Sequence, residues 1–150
     1  TNIVDVYSNL AAKAAADQLI ALAKKLNLNV EIVYDRAEIF VQNRREFYDI
    51  VTSRAVADLS ILSELAIPYL KVGGNFIAMK ANYQDELHNA ENIIKKLHSK
   101  VTKITEFTLP ATDMNRGIIT INKEKITNKK YPRSYNTIKK DAQIKLQKQQ

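Results

Sequence analysis

Cysteine and tryptophan are absent from this 150-residue chain, and glycine and proline occur three times each. Without cysteine there is no disulfide framework, no thiolate zinc site and no cysteine nucleophile. The three glycines are Gly73, Gly74 and Gly117, and none forms a G-x-G turn between a strand and a helix. Such a turn lets backbone approach the phosphates or adenosyl group of a nucleotide-like cofactor, so this chain lacks the usual cradle. No apolar run is long enough to span a bilayer. Thr1 opens almost directly on a strand-like segment, so no secretory leader is expected, and the missing initiator methionine marks an excerpt or a processed product. A cytoplasmic protein is the expectation.

What is present is a hydrophobic content of 45% and a net charge of +7. That is enough apolar material for a real core in one domain. The charge is not spread evenly. Residues 1–121 balance, with 14 basic and 14 acidic side chains, whereas residues 122–150 hold nine basic residues against Glu124 and Asp141. This division sets an expected domain at 1–122 and a basic tail at 123–150. Phosphate-rich partners are a common reason for such asymmetry, and a merely solvated tail is the plain alternative.

Periodicity alternates between strand and helix. Short strands are read at Asn2–Val6 (ending at Asp5), Val30–Tyr34, Tyr48–Thr52 and Asn75–Lys80. Helical spacing runs over Leu10–Leu26, with Ala12, Ala15, Leu19, Leu22 and Leu26 on one stripe. Further helices are expected at Arg36–Gln42, Leu59–Leu70 and Tyr83–Lys100, with Pro68 disturbing the second and Gly73-Gly74 forming a turn after it. Val101–Leu109 and Arg116–Asn122 pass from strand to strand with no helix between. The segment after Lys123 shows no sustained apolar period and reads as irregular or weakly helical. The pattern is an α/β fold: a mainly parallel sheet with an antiparallel C-terminal edge and helices on both faces. Ligands of such sheets gather beyond the carboxyl ends of the strands, which places Asp5, Asp35–Glu38, Ser53–Ala55 and Lys80 on one rim.

Each rim residue has a structural reading beside the functional one. Asp5 suits a ribose-binding acid or a helix cap. In "YDRAEIF", the turn at Arg36-Ala37-Glu38 can read an adenine edge, or Asp35 and Glu38 can form a capping box. Lys80 can neutralise a ligand or extend into water. His88 and His98, taken as sharing a helix, point about 80° apart and are no metal pair. Ser53 lacks the glycine frame of a nucleophile elbow.

Together "YDRAEIF", "FYDIVTSRAVADLSILSELAIPYLKVGGNFIAMK", "FTLP" and "KKYPR" resemble the RsmG (GidB) family of small-subunit ribosomal RNA methyltransferases, over roughly residues 1–140. The resemblance implies a Rossmann-like class I fold, S-adenosyl-L-methionine as cofactor, and N7 of a guanine in 16S rRNA as methyl acceptor. Carried over by motif, Ala37 and Glu38 of "RAE" and Arg54 of "SRA" are cofactor-binding positions, with Asp5 as the ribose-binding acid. No catalytic side chain or metal is implied. The family's Ser-x-x-Lys-Arg-like run after its acid is replaced here by "VYSNLAAKAAA". Its first sheet strand and glycine-rich loop have no counterpart, so the chain reads as the carboxyl two-thirds of the enzyme or a decayed copy.

For the tail, phosphate anchoring by Lys129, Lys130, Arg133, Lys139 and Lys140 is expected, with Tyr131 or Tyr135 for stacking. The partner is 16S rRNA or the small ribosomal subunit, met by a monomer with no membrane contact. A non-catalytic RNA-binding remnant is the alternative function. A nicotinamide-dependent oxidoreductase ranks last, because it needs the same absent loop and a proton donor.

Overall fold

In the computed structural model, residues 3–7, 10–54 and 57–148 are described, with backbone alone before residue 13. Six strands fall into two sheets, and the chain forms two compact units, 1–43 and 44–150. The unit boundary therefore lies after Asn43, far from the division at residue 122 that charge alone implied.

The first unit holds β1 (Ile3–Tyr7), α1 (Leu10–Lys25), β2 (Val30–Tyr34) and the short α2 (Ala37–Phe40), followed by a 3-10 turn. β1 and β2 pair in parallel, Asp5 opposite Ile32. The strand continues to Tyr7, so Asp5 is a mid-strand residue and not a strand end. Its side chain lies outside the described residues. In α1 the buried position is Ala16, with Leu22 and Leu26 exposed, so the expected leucine stripe does not hold. The small side chain makes the close contact here.

The second unit contains β3 (Tyr48–Arg54), α3 (Leu59–Ala66), β4 (Leu70–Lys80), α4 (Gln84–Lys96), β5 (Ser99–Thr108), β6 (Asn115–Lys123) and α5 (Tyr135–Gln147). Its strand order is β3-β4-β6-β5, parallel between β3 and β4 and antiparallel thereafter. A parallel pair with an antiparallel edge is the arrangement the sequence implied.

Alternation on β4 and β6 builds the core of this unit. Phe76 and Ala78 on β4, and Ile119 and Ile121 on β6, face Leu59, Leu62 and Ala66 of α3 and Ala90, Ile93, Ile94 and Leu97 at α4. Ile77 and Met79, on the other β4 parity, stay partly exposed. In this unit α3 and α4 therefore share one face of the sheet. α3 stops at Ala66 and passes through a 3-10 turn, Ile67–Tyr69, in which Pro68 stands at the first turn where its missing N–H is harmless.

Gly73 and Gly74 lie inside β4 instead of forming a turn. They absorb a register break: Tyr48 faces Leu70, yet Ile50 faces Asn75. Gly73 has φ +86°, and a Cβ on Gly74 would sit 2.9 Å from both the Asp49 and Lys71 carbonyl oxygens. Backbone atoms cannot step aside as a side chain can. Gly74→Ala is therefore expected to destabilise by about 2 kcal/mol. An unchanged urea midpoint would show that the bulge accommodates a methyl group.

The segment after Lys123 is not a loose tail. Arg45 donates to the Tyr131 carbonyl at 2.6 Å and the Asn128 carbonyl at 3.1 Å. Thr127 N–H donates to Glu46 at 3.2 Å. α5 begins at Ser134, whose side chain caps Thr137 N–H, and lays Ile138 and Ala142 against Ile61 of α3. Tyr135, Ile138 and Ala142 recur at three and four residues, a short helical stripe hidden among lysines.

Candidate functional site

The candidate rim is built from strand ends, and each unit contributes its own part. In the first unit β2 ends at Tyr34 and the chain turns through Asp35 and Arg36 into α2. Arg36 occupies the N-cap with no side-chain cap, and its guanidinium holds the Glu38 carboxylate at 2.6 Å. Asp35 instead accepts from the adjacent Arg36 N–H at 2.7 Å. The capping-box reading of Asp35 and Glu38 is therefore replaced by an Arg36–Glu38 pair, which orients the carboxylate beside the small Ala37.

In the second unit Arg54 is the last residue of β3, exposed, with Met79 as its cross-strand neighbour. Among the described residues no carboxylate stands within ion-pair distance of it. A guanidinium left at a strand end with its donors unspent is suited to an anionic group, since its planar fork matches carboxylate or phosphate.

Lys80, the parallel position at the end of β4, behaves differently. It is only 4% exposed and does not extend into water. Its ammonium donates to the Ala57 carbonyl and pairs with Glu86 at 2.8 Å. Glu86 in turn accepts from Leu59 N–H at 2.8 Å, and Asp58 accepts from Ser60 N–H at 2.9 Å. These bonds pin the entry of α3, which starts five residues after Arg54. Glu86 was not singled out from sequence. An acid in the first turn of a helix carries no visible signal of a partner on a neighbouring strand.

Tyr83 closes the β6 side of this rim. A Cβ on Gly117 would lie 2.4 Å from its ring, and its hydroxyl donates to Glu106. Gly117 is thus the residue that lets an aromatic ring lie flat on β6.

His88 and His98, read from sequence as sharing a helix, do not share one. α4 ends before His98, which adopts a left-handed φ of 53°. Of the five tail cations, Lys129, Lys130, Lys139 and Lys140 are exposed, while Arg133 is committed inside the fold. Its backbone N–H and Nε reach Glu64 Oε1, both at 2.9 Å, Nη2 reaches Oε2 at 2.9 Å, and Nη1 meets Asp141 at 2.5 Å. The Glu64 hydrogen bonds, against the opposing effect of burial, raise this guanidinium further above its ordinary pKa. Arg133 thus acts as a structural anchor, its donors engaged by Glu64 and Asp141.

The fold is that of Rossmann-like class I methyltransferases. Solved structures of that fold match well: an rRNA methylase from Streptococcus thermophilus gives a TM-score of 0.56 at 14% identity, over 83% of this chain and 87% of that one. M. jannaschii TYW2 in complex with AdoMet gives 0.58 at 14% identity, over 80% and 57%.

The chain belongs to the GidB family, rRNA small subunit methyltransferase G, whose model matches residues 16–115. The ribosomal RNA small subunit methyltransferase G of Listeria welshimeri is 50% identical over 123 residues, covering 79% of this chain and 52% of the relative. That of Limosilactobacillus reuteri is 52% identical over 117 residues, covering 75% and 48%. The chain thus spans about half the length of the curated relatives it matches. Among the described residues no helix is long and apolar enough to cross a membrane.

Proposed function

We propose that this chain serves S-adenosyl-L-methionine-dependent methyl transfer to N7 of a guanine in 16S ribosomal RNA, in the cytoplasm and as a monomer. The observation that carries the reading is the family match, which includes Ala37, Glu38 and Arg54 within residues 16–115. The turn after β2 fits an adenosyl group: Ala37 offers backbone with minimal bulk, and Arg36 holds the Glu38 carboxylate in one orientation beside it. When bound, the cofactor supplies an electrophilic methyl group on a sulfonium.

Guanine N7 already presents a lone pair and carries no proton, so no general base is required. Alignment and exclusion of water then account for most of the acceleration. The product base is cationic, and a guanidinium directly against N7 would oppose the reaction. Arg54 is therefore assigned to the cofactor carboxylate or to a phosphate near the acceptor. Asp5 is proposed for the ribose hydroxyls.

Calorimetric titration of S-adenosylhomocysteine into the chain tests this reading. Binding is expected, and Arg54→Ala should weaken it at least about tenfold, roughly 1.4 kcal/mol. Equal affinity in wild type and Arg54→Ala would remove Arg54 from the site. No binding by wild type would favour the second reading, a non-catalytic RNA-binding remnant.

A further inference from the structure

Two of the basic tail residues, Lys145 and Lys148, meet Lys96 at a place that the sequence did not single out. α4 and α5 border a groove of about 240 Å³, whose walls include Asn92 and Lys96 from α4 and Lys145 and Lys148 from α5. A second hollow adjoins it, sharing Asn92, Lys145 and Lys148 and extending to His88 and Asn89. The two together make an elongated depression instead of a single-ion pocket.

Helical geometry explains the convergence. Asn89, Asn92 and Lys96 recur at three and four residues on α4. Lys145 lies seven residues after the buried Ile138, so it points to the same side of α5, with Lys148 one turn on. Lys139 and Lys140 point elsewhere.

The carboxylates facing the groove are Glu64 and Asp141, and Arg133 engages both. Lys96, Lys145 and Lys148 have no carboxylate partner among the described residues; Lys145 donates to the Asn89 carbonyl at 3.4 Å. Three cations therefore border one concave, partly apolar depression that includes Asn92, Ile93, Ile138 and Ile144, while the acids facing it, Glu64 and Asp141, are engaged by Arg133. Several cations without carboxylate partners on one surface suit a polyanion.

We infer that the α4–α5 groove is a docking surface for the phosphate backbone of RNA, with Lys96, Lys145 and Lys148 as its phosphate contacts. The inference rests on the ribosomal RNA reading and deepens it by moving the contact from the outer lysines of the tail to this groove. Such contacts position the nucleic acid without reading its sequence.

The test compares wild type, Lys96→Ala/Lys145→Ala/Lys148→Ala, and a charge-matched control, Lys13→Ala/Lys24→Ala/Lys25→Ala, for binding of a single-stranded RNA oligonucleotide across a salt series. Thermal melting of all three verifies folding. The groove variant is expected to bind at least about tenfold more weakly at 0.1 M salt, and the slope of log affinity against log salt should fall by about 2. The control should leave the slope unchanged. An unchanged slope in the groove variant overturns the inference, and so does a drop confined to Lys139→Ala/Lys140→Ala. Polyglutamate bound as tightly as RNA would overturn the assignment to RNA. If wild type binds S-adenosylhomocysteine but the groove variant keeps full RNA affinity, only the docking surface fails. If wild type binds no RNA, the ribosomal RNA reading fails with it.

Discussion

Arg133→Ala is expected to lower the unfolding free energy by about 3–5 kcal/mol, the largest effect of any single change considered. The loss comes from what is left behind. The Glu64 side chain is 1% exposed and receives two side-chain hydrogen bonds from Arg133. Truncating the arginine strands a carboxylate inside the protein with only the Arg133 backbone N–H as donor. Arg133→Lys should recover only part of the loss, because a point ammonium cannot replace a bidentate fork. Removing both partners, as in Glu64→Leu with Arg133→Met, should be far milder than the sum of the single losses. Urea denaturation of wild type, Arg133→Ala, Arg133→Lys, the double variant and its two component single variants reads this directly. If Arg133→Ala costs under about 1 kcal/mol, Arg133 is not an anchor, and its place among the RNA-binding cations reopens.

The second large effect concerns Lys123, the last residue of β6, which is 0% exposed. Its ammonium donates to Glu46, to the Ile67 carbonyl at 3.2 Å and to the Leu70 carbonyl at 2.8 Å. It ties the start of the second unit to the turn between α3 and β4. Lys123→Ala should cost about 3 kcal/mol, through lost packing and three abandoned acceptors.

A pH signature accompanies it. Burial lowers the Lys123 pKa from 10.5, and the Glu46 hydrogen bond offsets this only in part. Between the lowered folded value and 10.5 the unfolded chain binds more protons at this residue than the folded chain does. The contribution of Lys123 to stability therefore rises with pH across that window. The stability difference between wild type and Lys123→Met should widen as pH climbs toward 10.5. A difference that narrows would mean the ammonium is stabilised, and not penalised, by its surroundings.

A deletion of residues 123–150 would remove Lys123, Arg133 and α5 together. Loss of RNA binding in that truncation would report unfolding of the second unit, so point substitutions in the α4–α5 groove are the sharper probe.

Much of the fold was legible because its signals are local. The β2 run "VEIVY" occupies the same five residues in the structure as in the periodicity. The β5–β6 hairpin follows from two consecutive strand patterns, and Pro68 marks the irregular end of α3 as expected. The errors share a cause. Gly73-Gly74 looks like a turn until the register of the neighbouring strand shows that it must absorb extra residues. Asp5 looks like a strand end until its pairing with Ile32 shows the strand continuing. In α5 only Tyr135, Ile138 and Ala142 of the apolar residues pack, while Ile144 and Leu146 are exposed and blur the periodicity.

The candidate site divides along the same line. "RAE" and "SRA" are recognisable because they are contiguous strings, and the structure keeps Arg54 exposed at the end of its strand. Lys80, Lys123 and Arg133 could not be distinguished from solvated cations in one dimension. What removes each from water is an acid six, 77 or 69 positions away, at Glu86, Glu46 and Glu64 respectively.

From the amino-acid order alone came the alternating α/β pattern, the family and the concentration of positive charge near the carboxyl end. Those depend on neighbours along the chain and on contiguous motifs. Tertiary structure decided which of those charges serve as internal anchors and which line a groove able to meet phosphate. The deciding quantity is desolvation, which depends on the three-dimensional neighbours of a side chain and is invisible to its position in sequence.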